Sequence, residues 1–355
     1  MKRITICLLA ALALAGCKQK GQTADATDSP QSEEQLAAQE DGQEEAPTQL
    51  LTPEQVAKDW AKQTIKLPGG GAPDIVALVS AFNKVWPSEA TVTLLEEARD
   101  PKFTEYVNTE TGGGIVCDRQ NGYVNVASGD SDSGSMEAAV WKRTNGHRLF
   151  IINLVDSKPD YRYLPEKQAL CIYDYDPKTG VMTPEENAIS KFKASSDDTN
   201  LMYRLPKNGT EVSIGEGDMQ PDARWHFFDW DGMKFTETIS YTSKELEEKI
   251  VGSWMCDDEK LPLLTFNIVK AENGDLSVED CSIYGSTEYE AYCNTWGGIL
   301  NVSEGGGMEE EMDPAIDCNF RLTKQGTLTG TYYLRLNGGK ETKGIMTLKR
   351  GNPAW

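Results

Sequence analysis

The chain has only two histidines, His147 and His226, in 355 residues. It has no C-x-x-C spacing and no G-x-S-x-G elbow. These absences argue against a structural zinc site and a serine-hydrolase triad. No apolar run reaches the roughly 20 residues that a membrane-spanning helix needs. Positive charge is also scarce: 35 Lys and Arg face 56 Asp and Glu, a formal net charge of −21. Such a surface repels nucleic acid and anionic lipid, so neither is an expected partner.

What is present is concentrated first at the N-terminus. Lys2 and Arg3 precede an uncharged apolar stretch, residues 4–15, of the length of a secretory h-region. It closes on Leu14-Ala15-Gly16-Cys17. This arrangement resembles the lipobox of bacterial lipoproteins. The resemblance implies cleavage after residue 16 and acylation of Cys17, which becomes the lipid-attachment residue and ties the chain to a membrane. Lys18, not an aspartate, follows the cysteine. By the same resemblance this implies the outer membrane, with the periplasmic or surface face left open. Loss of Lys2 and Arg3 with the leader moves the net charge from −21 to −23.

Residues 17–50 read as the lipidated cysteine and an acidic tether. Positions 18–50 carry two lysines against eight acids and no aromatic residue. Too little apolar surface is available there to offset the entropy of ordering. As a coil the segment spans on the order of 30 Å.

Two folded parts are expected beyond the tether, residues 51–241 and 242–355. The fold class read from pattern is mainly β: an antiparallel meander with N-terminal helices (α+β), then a small antiparallel β-barrel. Thr52-Pro53-Glu54-Gln55 reads as a helix start, with Val56, Trp60 and Ile65 as its stripe. Residues 75–86 read as a second helix ended by Pro87. Five hairpin signals follow, around Asn121-Gly122, Asn145-Gly146, Pro177 to Gly180, Asn208-Gly209 and Asp231-Gly232. Tyr175-Asp176-Pro177-Lys178-Thr179-Gly180 and Trp230-Asp231-Gly232-Met233-Lys234-Phe235 resemble pieces of propeller blades; generic hairpins are the competing reading.

In the second part, Thr242-Ser243-Lys244-Glu245 is a capping box. A short helix leads to Gly252-Ser253-Trp254, and about eight strands follow. This resembles the lipocalin-like pattern. The resemblance implies that Trp254 plugs the closed end of the barrel, with Lys349 or Arg350 packed over it. It also implies an interior that holds a small apolar ligand, unless side chains fill it.

Six cysteines remain in the mature chain: Cys117, Cys171, Cys256, Cys281, Cys293 and Cys318. An even count in an exported chain suggests disulfides. If each part pairs within itself, Cys117 joins Cys171. Three pairings then stay open for the rest, Cys281–Cys293 with Cys256–Cys318 among them.

No residue set forms a catalytic constellation, and no cofactor or metal is expected. The two histidines are candidates for acid and base only by their scarcity. Asp130-Ser131-Asp132-Ser133-Gly134 falls short of a calcium loop, and Glu309-Glu310-Glu311-Met312-Asp313 reads as a solvated acidic run. Within Arg224-Trp225-His226-Phe227-Phe228-Asp229-Trp230, Trp225 or Trp230 is a candidate ligand platform for a sugar. The functional reading is a membrane-anchored, non-enzymatic envelope lipoprotein, with two alternatives: lipocalin-like binding of a small apolar ligand, or a carbohydrate-binding or carbohydrate-processing role for residues 51–241. Its candidate partners are a small apolar ligand, a glycan or an envelope protein.

Overall fold

A computed structural model describes residues 63–108, 113–128, 134–155, 168–190, 201–207, 210–217, 222–283, 286–304, 316–336 and 340–351. The expected signal peptide, Cys17, the tether and the helix at 52–62 lie outside the described residues. So do most of the 130–134 loop and the acidic run at 309–313.

The first part opens with β1 (Ile65–Lys66), α1 (Ile75–Asn83) and α2 (Glu89–Glu97). Ile65, expected on a helix stripe, is a strand residue opposite Met182. Helix α1 forms because Asp74 caps it, accepting from the Ala77 N–H at 2.9 Å. Its buried residues Ile75, Leu78, Val79 and Phe82 fall on one stripe. Helix α2 was missed by periodicity, yet Ser88 and Thr91 form a reciprocal capping box just after Pro87.

Seven strands follow: β2 (Glu105–Val107), β3 (Gly114–Asp118), β4 (Tyr123–Ala127), β5 (Ser135–Lys142), β6 (Arg148–Val155), β7 (Gln168–Asp176) and β8 (Val181–Pro184). They form an antiparallel meander in the order β1-β8-β7-β6-β5-β4-β3-β2. The β3–β4 turn needs its glycine. Gly122 has φ 71°, and a Cβ there would run into the Val140 side chain.

Strand alternation gives this sheet two apolar faces. On one, Phe150 and Tyr173 meet Phe82 of α1 at 6.3 and 6.2 Å between ring centroids. On the other, Trp141 meets Phe235 edge-on at 4.9 Å. That second face is covered by a four-stranded sheet of β9 (Leu201–Arg204), β10 (Glu211–Glu216), β11 (Arg224–Trp230) and β12 (Phe235–Thr242). Val212, Ile214 and Phe228 face the first core, whereas Trp225, Phe227 and Tyr241 belong to a second core. The small sheet is therefore buried on both faces.

Helix α3 (Ser243–Ile250) starts at the expected capping box, with Thr242 and Glu245 bonded reciprocally. It leads into β13 (Gly252–Met255), β14 (Leu264–Lys270), β15 (Leu276–Ile283), β16 (Ser286–Tyr289) and β17 (Ala291–Asn294). A 3-10 turn at Trp296–Gly298 precedes β18 (Leu300–Glu304), β19 (Ile316–Leu322), β20 (Leu328–Leu336) and β21 (Lys340–Arg350). Each strand pairs with its sequence neighbour except at two places. The first strand pairs with the last, Trp254 opposite Arg350. At the other seam β15 packs against β17, which nearly closes the barrel.

Trp254 is fully buried, and its indole N–H donates to the Ile250 carbonyl at 2.7 Å. The Arg350 guanidinium lies over its ring, 4.6 Å from the centroid. Lys349 points away and pairs with Asp257 at 2.7 Å. Of the two expected covering residues, Arg350 occupies the position. Inside the barrel, Phe266 of β14 and Phe320 of β19 come from opposite walls and approach to 6.3 Å. Side chains thus meet across the interior at that level.

The expected disulfides are also corrected. Register places Cys117 opposite Val124, Val124 opposite Ala138, Ala138 opposite Ile152, and Ile152 opposite Cys171. Four strand steps of about 4.8 Å separate the two cysteines, far beyond disulfide reach. In the barrel, Cys256, Cys293 and Cys318 are free thiols, so neither Cys281–Cys293 nor Cys256–Cys318 is formed.

Candidate functional site

The second face of the small sheet also carries polar residues in register. Arg204 of β9 lies opposite Ser213 of β10, and Glu211 of β10 lies opposite Asp229 of β11. This end of the sheet faces the outer wall of the barrel, where Asn319 and Arg321 of β19 and Thr331 of β20 project. Between the two lies a cleft of about 620 Å³. Arg321 crosses it to pair with Glu211 and, at 2.8 Å, with Asp229. Burial lowers the Arg321 guanidinium to about 10, so it stays a cation at neutral pH. Burial also raises the Asp229 carboxyl.

Arg204 sits at the other end. Its guanidinium lies between two indoles, 4.5 Å from the Trp225 ring centroid and 4.9 Å from that of Trp296. Trp225 is the buried side of this stack at 1% exposure, and Trp296 the outer side at 57%. The turn after Trp296 must be glycine to fit. Gly297 has φ 67°, and a Cβ there would strike the Arg204 guanidinium.

Glu137 enters from the first sheet. The Tyr123 hydroxyl donates to one carboxylate oxygen at 2.7 Å, and the Leu205 backbone N–H donates to the other at 2.6 Å. Desolvation dominates and pushes this carboxyl up to about 7. The two hydrogen bonds and the charge of Arg204 pull in the opposite direction. Burial, aided by the Glu137 charge, drives the Tyr123 phenol far above its usual range. The cleft therefore has a carboxylate-rich end around Arg321 and a guanidinium end at Arg204, beside an acid that titrates near neutrality.

The expected platform residues are placed differently. Trp225 is covered by Arg204. Trp230 packs on Trp141 at 6.4 Å and Phe235 at 4.9 Å, against the first core. Trp225 is buried and Trp230 is half-buried; among the described residues the exposed indole is Trp296. The two histidines occupy separate networks. His147 meets Asp174 at 2.6 Å and Asp176 at 3.8 Å. His226 meets Glu237 at 2.8 Å and Glu216 at 3.3 Å. They share no partner and form no acid–base pair. Among the described residues no group of three or more His, Cys, Asp or Glu is placed to hold a metal ion.

Sequence reasoning missed Glu137, Arg204, Trp296 and Arg321. Each is an isolated residue in a strand or turn, and they are brought together from across about half the chain. Only Trp296-Gly297-Gly298 carried a local signal, a glycine turn behind an aromatic residue.

No protein-family model matches the chain, and no curated protein matches it. Among solved structures it overlaps weakly with a lectin of Aleuria aurantia. One is a lectin variant in complex with Fucα1-6GlcNAc, at 11% identity over 68% of this chain and 94% of the lectin, TM-score 0.20. Another is the fungal lectin described as a six-bladed β-propeller with a novel fucose recognition mode, at 11% identity over 71% and 96%, TM-score 0.20. Overlap this slight bears on neither the fold nor the ligand of this chain.

Proposed function

We propose that the chain is a lipid-anchored envelope protein, non-enzymatic, that binds a glycan in the cleft between the small sheet and the barrel. The observation that carries this reading is the lining of that cleft. Planar hydrogen-bonding groups (Arg321 with Asp229, Asn319, Arg204) stand beside the hydroxyl groups of Ser213 and Thr331, and the exposed Trp296 indole stacks on one of them, Arg204. Sugars are recognised by that combination, because paired hydroxyls match planar donors and acceptors while their C–H faces settle on aromatic rings. The anchor at Cys17 and the acidic tether would hold the cleft clear of the membrane surface.

The test is a glycan array probed with the full mature chain, followed by calorimetry on the best binders. Specific binding that is lost in Asn319→Ala and Trp296→Ala, with the glycan recovered chemically unchanged, is the expected result. Hydrolysis of the bound glycan would overturn the non-enzymatic part. Absence of any glycan binder would overturn the ligand class.

A further inference from the structure

We propose a second binding site, for the phosphoryl group of a small phosphate monoester, in a cavity of the first part between the start of α1 and the meander. It shares no lining residue with the cleft and stands or falls independently of the glycan reading. The cavity has a volume of about 260 Å³. That is below the range that whole drug-sized ligands fill, and suits one charged group on a short stem. Three stretches enclose it: Ala72 to Ile75 at the start of α1, the β3–β4 turn from Arg119 to Gly122, and the paired strands β5 and β6.

The lining carries the cations Arg119, Lys142 and Arg148 against one carboxylate, Asp74, a local excess of two positive charges in a chain of net charge −21. Arg119 does not supply that excess. It pairs with Asp74, and its other terminal nitrogen donates to the Ala98 carbonyl at 2.7 Å. Asp74 also caps α1, so the helix end needs no further negative charge. The excess belongs to Lys142 of β5 and Arg148 of β6, which lie directly opposite each other. Strand alternation puts both on the face of Phe150, the one turned to α1. Like charges in that register repel.

Neither cation is answered within the chain. The Arg148 guanidinium donates to the Pro73 carbonyl at 2.7 Å, which ties it to the cavity wall; its other donors make no bond among the described residues. Lys142 is exposed and makes no bond or ion pair among the described residues. Asp118 accepts from Asn121, and Asp176 from Lys178 and Thr179, each inside its own turn, and neither lines the cavity. An excess of two charges matches a phosphate monoester, which carries about −1.5 to −2 at pH 7 and three acceptor oxygens. A carboxylate brings one charge and two oxygens in one plane. Set between the Lys142 ammonium and the Arg148 guanidinium, the phosphoryl oxygens would replace a repulsive pair by two charge-assisted hydrogen bonds.

The experiment is calorimetry on the full mature chain at 0.15 M salt. The probes are glycerol 3-phosphate, glucose 6-phosphate and inorganic phosphate, with acetate and methyl sulfate as singly charged controls. At least one phosphate probe should bind with a Kd on the order of 1 mM or tighter, and tenfold or more tighter than either control. Lys142→Ala removes a side chain with no partner, so it should weaken binding about tenfold without lowering the melting temperature. Lys142→Glu should abolish binding and raise the melting temperature, because it turns a repulsive cross-strand pair with Arg148 into an attractive one. A merely structural lysine would not move the two readouts in opposite directions. Acetate binding as well as the phosphates, or phosphate binding undiminished in Lys142→Glu, would overturn the site. Vesicles containing phosphatidate form a further arm. Lys142-dependent binding to them alone would keep the phosphoryl group and replace the soluble ester by a lipid headgroup. No binding by esters or vesicles would sink the proposal and leave the glycan reading untouched.

Discussion

Arg350 closes over Trp254 from the last strand of the chain. Besides lying 4.6 Å from the ring, its guanidinium donates to the Val251 carbonyl at 2.7 Å and to the Lys249 carbonyl. One side chain thus covers the barrel's buried tryptophan and satisfies carbonyls at the end of α3. Arg350→Ala should cost about 1–2 kcal/mol of stability, from lost stacking and carbonyl bonds. Lys349→Ala, which breaks only an exposed pair with Asp257, should leave stability unchanged within error. Urea denaturation of both variants checks this. Equal effects would mean that Arg350 has no special place.

Glu137 gives stability a pH dependence whose sign can be worked out. Burial raises its carboxyl to about 7 in the folded chain, from an ordinary value of 4.5. A raised folded value means the folded state holds the proton more tightly. The contribution is complete below about 4.5 and is lost as pH rises through about 7. The loss is on the order of 3 kcal/mol. Glu137→Gln should flatten that slope between pH 4.5 and 7.5. Denaturation curves at three pH values decide it, and parallel slopes for the two proteins would contradict the assignment.

The free thiols differ in access. Cys117, Cys171, Cys256 and Cys318 are buried, and Cys293 is half-buried. Burial and the nearby Glu247 push the Cys293 thiol up to about 11. Slow native-state alkylation should therefore begin at Cys293 and speed up with pH, while the buried cysteines, Cys281 among them, react only after unfolding. Peptide mapping after timed labelling reads this directly. Early labelling of Cys117 or Cys171 would show that the first core is more open than described.

The proposed anchor has its own test. Metabolic labelling with a palmitate analogue should mark the wild-type chain and not Cys17→Ser, which should keep its leader and run larger. A labelled Cys17→Ser chain would refute the lipid attachment.

Much of the fold was legible because it is local. Each Asn-Gly or Asp-Gly pair marked a reversal, and Thr242 with Glu245 announced α3. What escaped had weak local grammar. β1 has two residues and exists only because Gly180 and Met182 offer it an edge. Helix α2 is short and polar, and its capping box used a threonine at the third position in place of an acid or amide. The cleft was illegible for a different reason. Glu137, Arg204 and Arg321 belong to three different sheets and Trp296 to a 3-10 turn, and no spacing rule links them. In the aromatic cluster at 224–230, Trp225 is buried as packing while Trp230 stays half-buried against Trp141 and Phe235.

The pairing of β13 with β21 sets a timetable. About a hundred residues separate the partners Trp254 and Arg350, so the barrel cannot shut until β21 arrives. Loop closure over that distance is slow, and unpaired strand edges stay open meanwhile. Until that closure the open strand edges are where the barrel is most prone to wrong pairing.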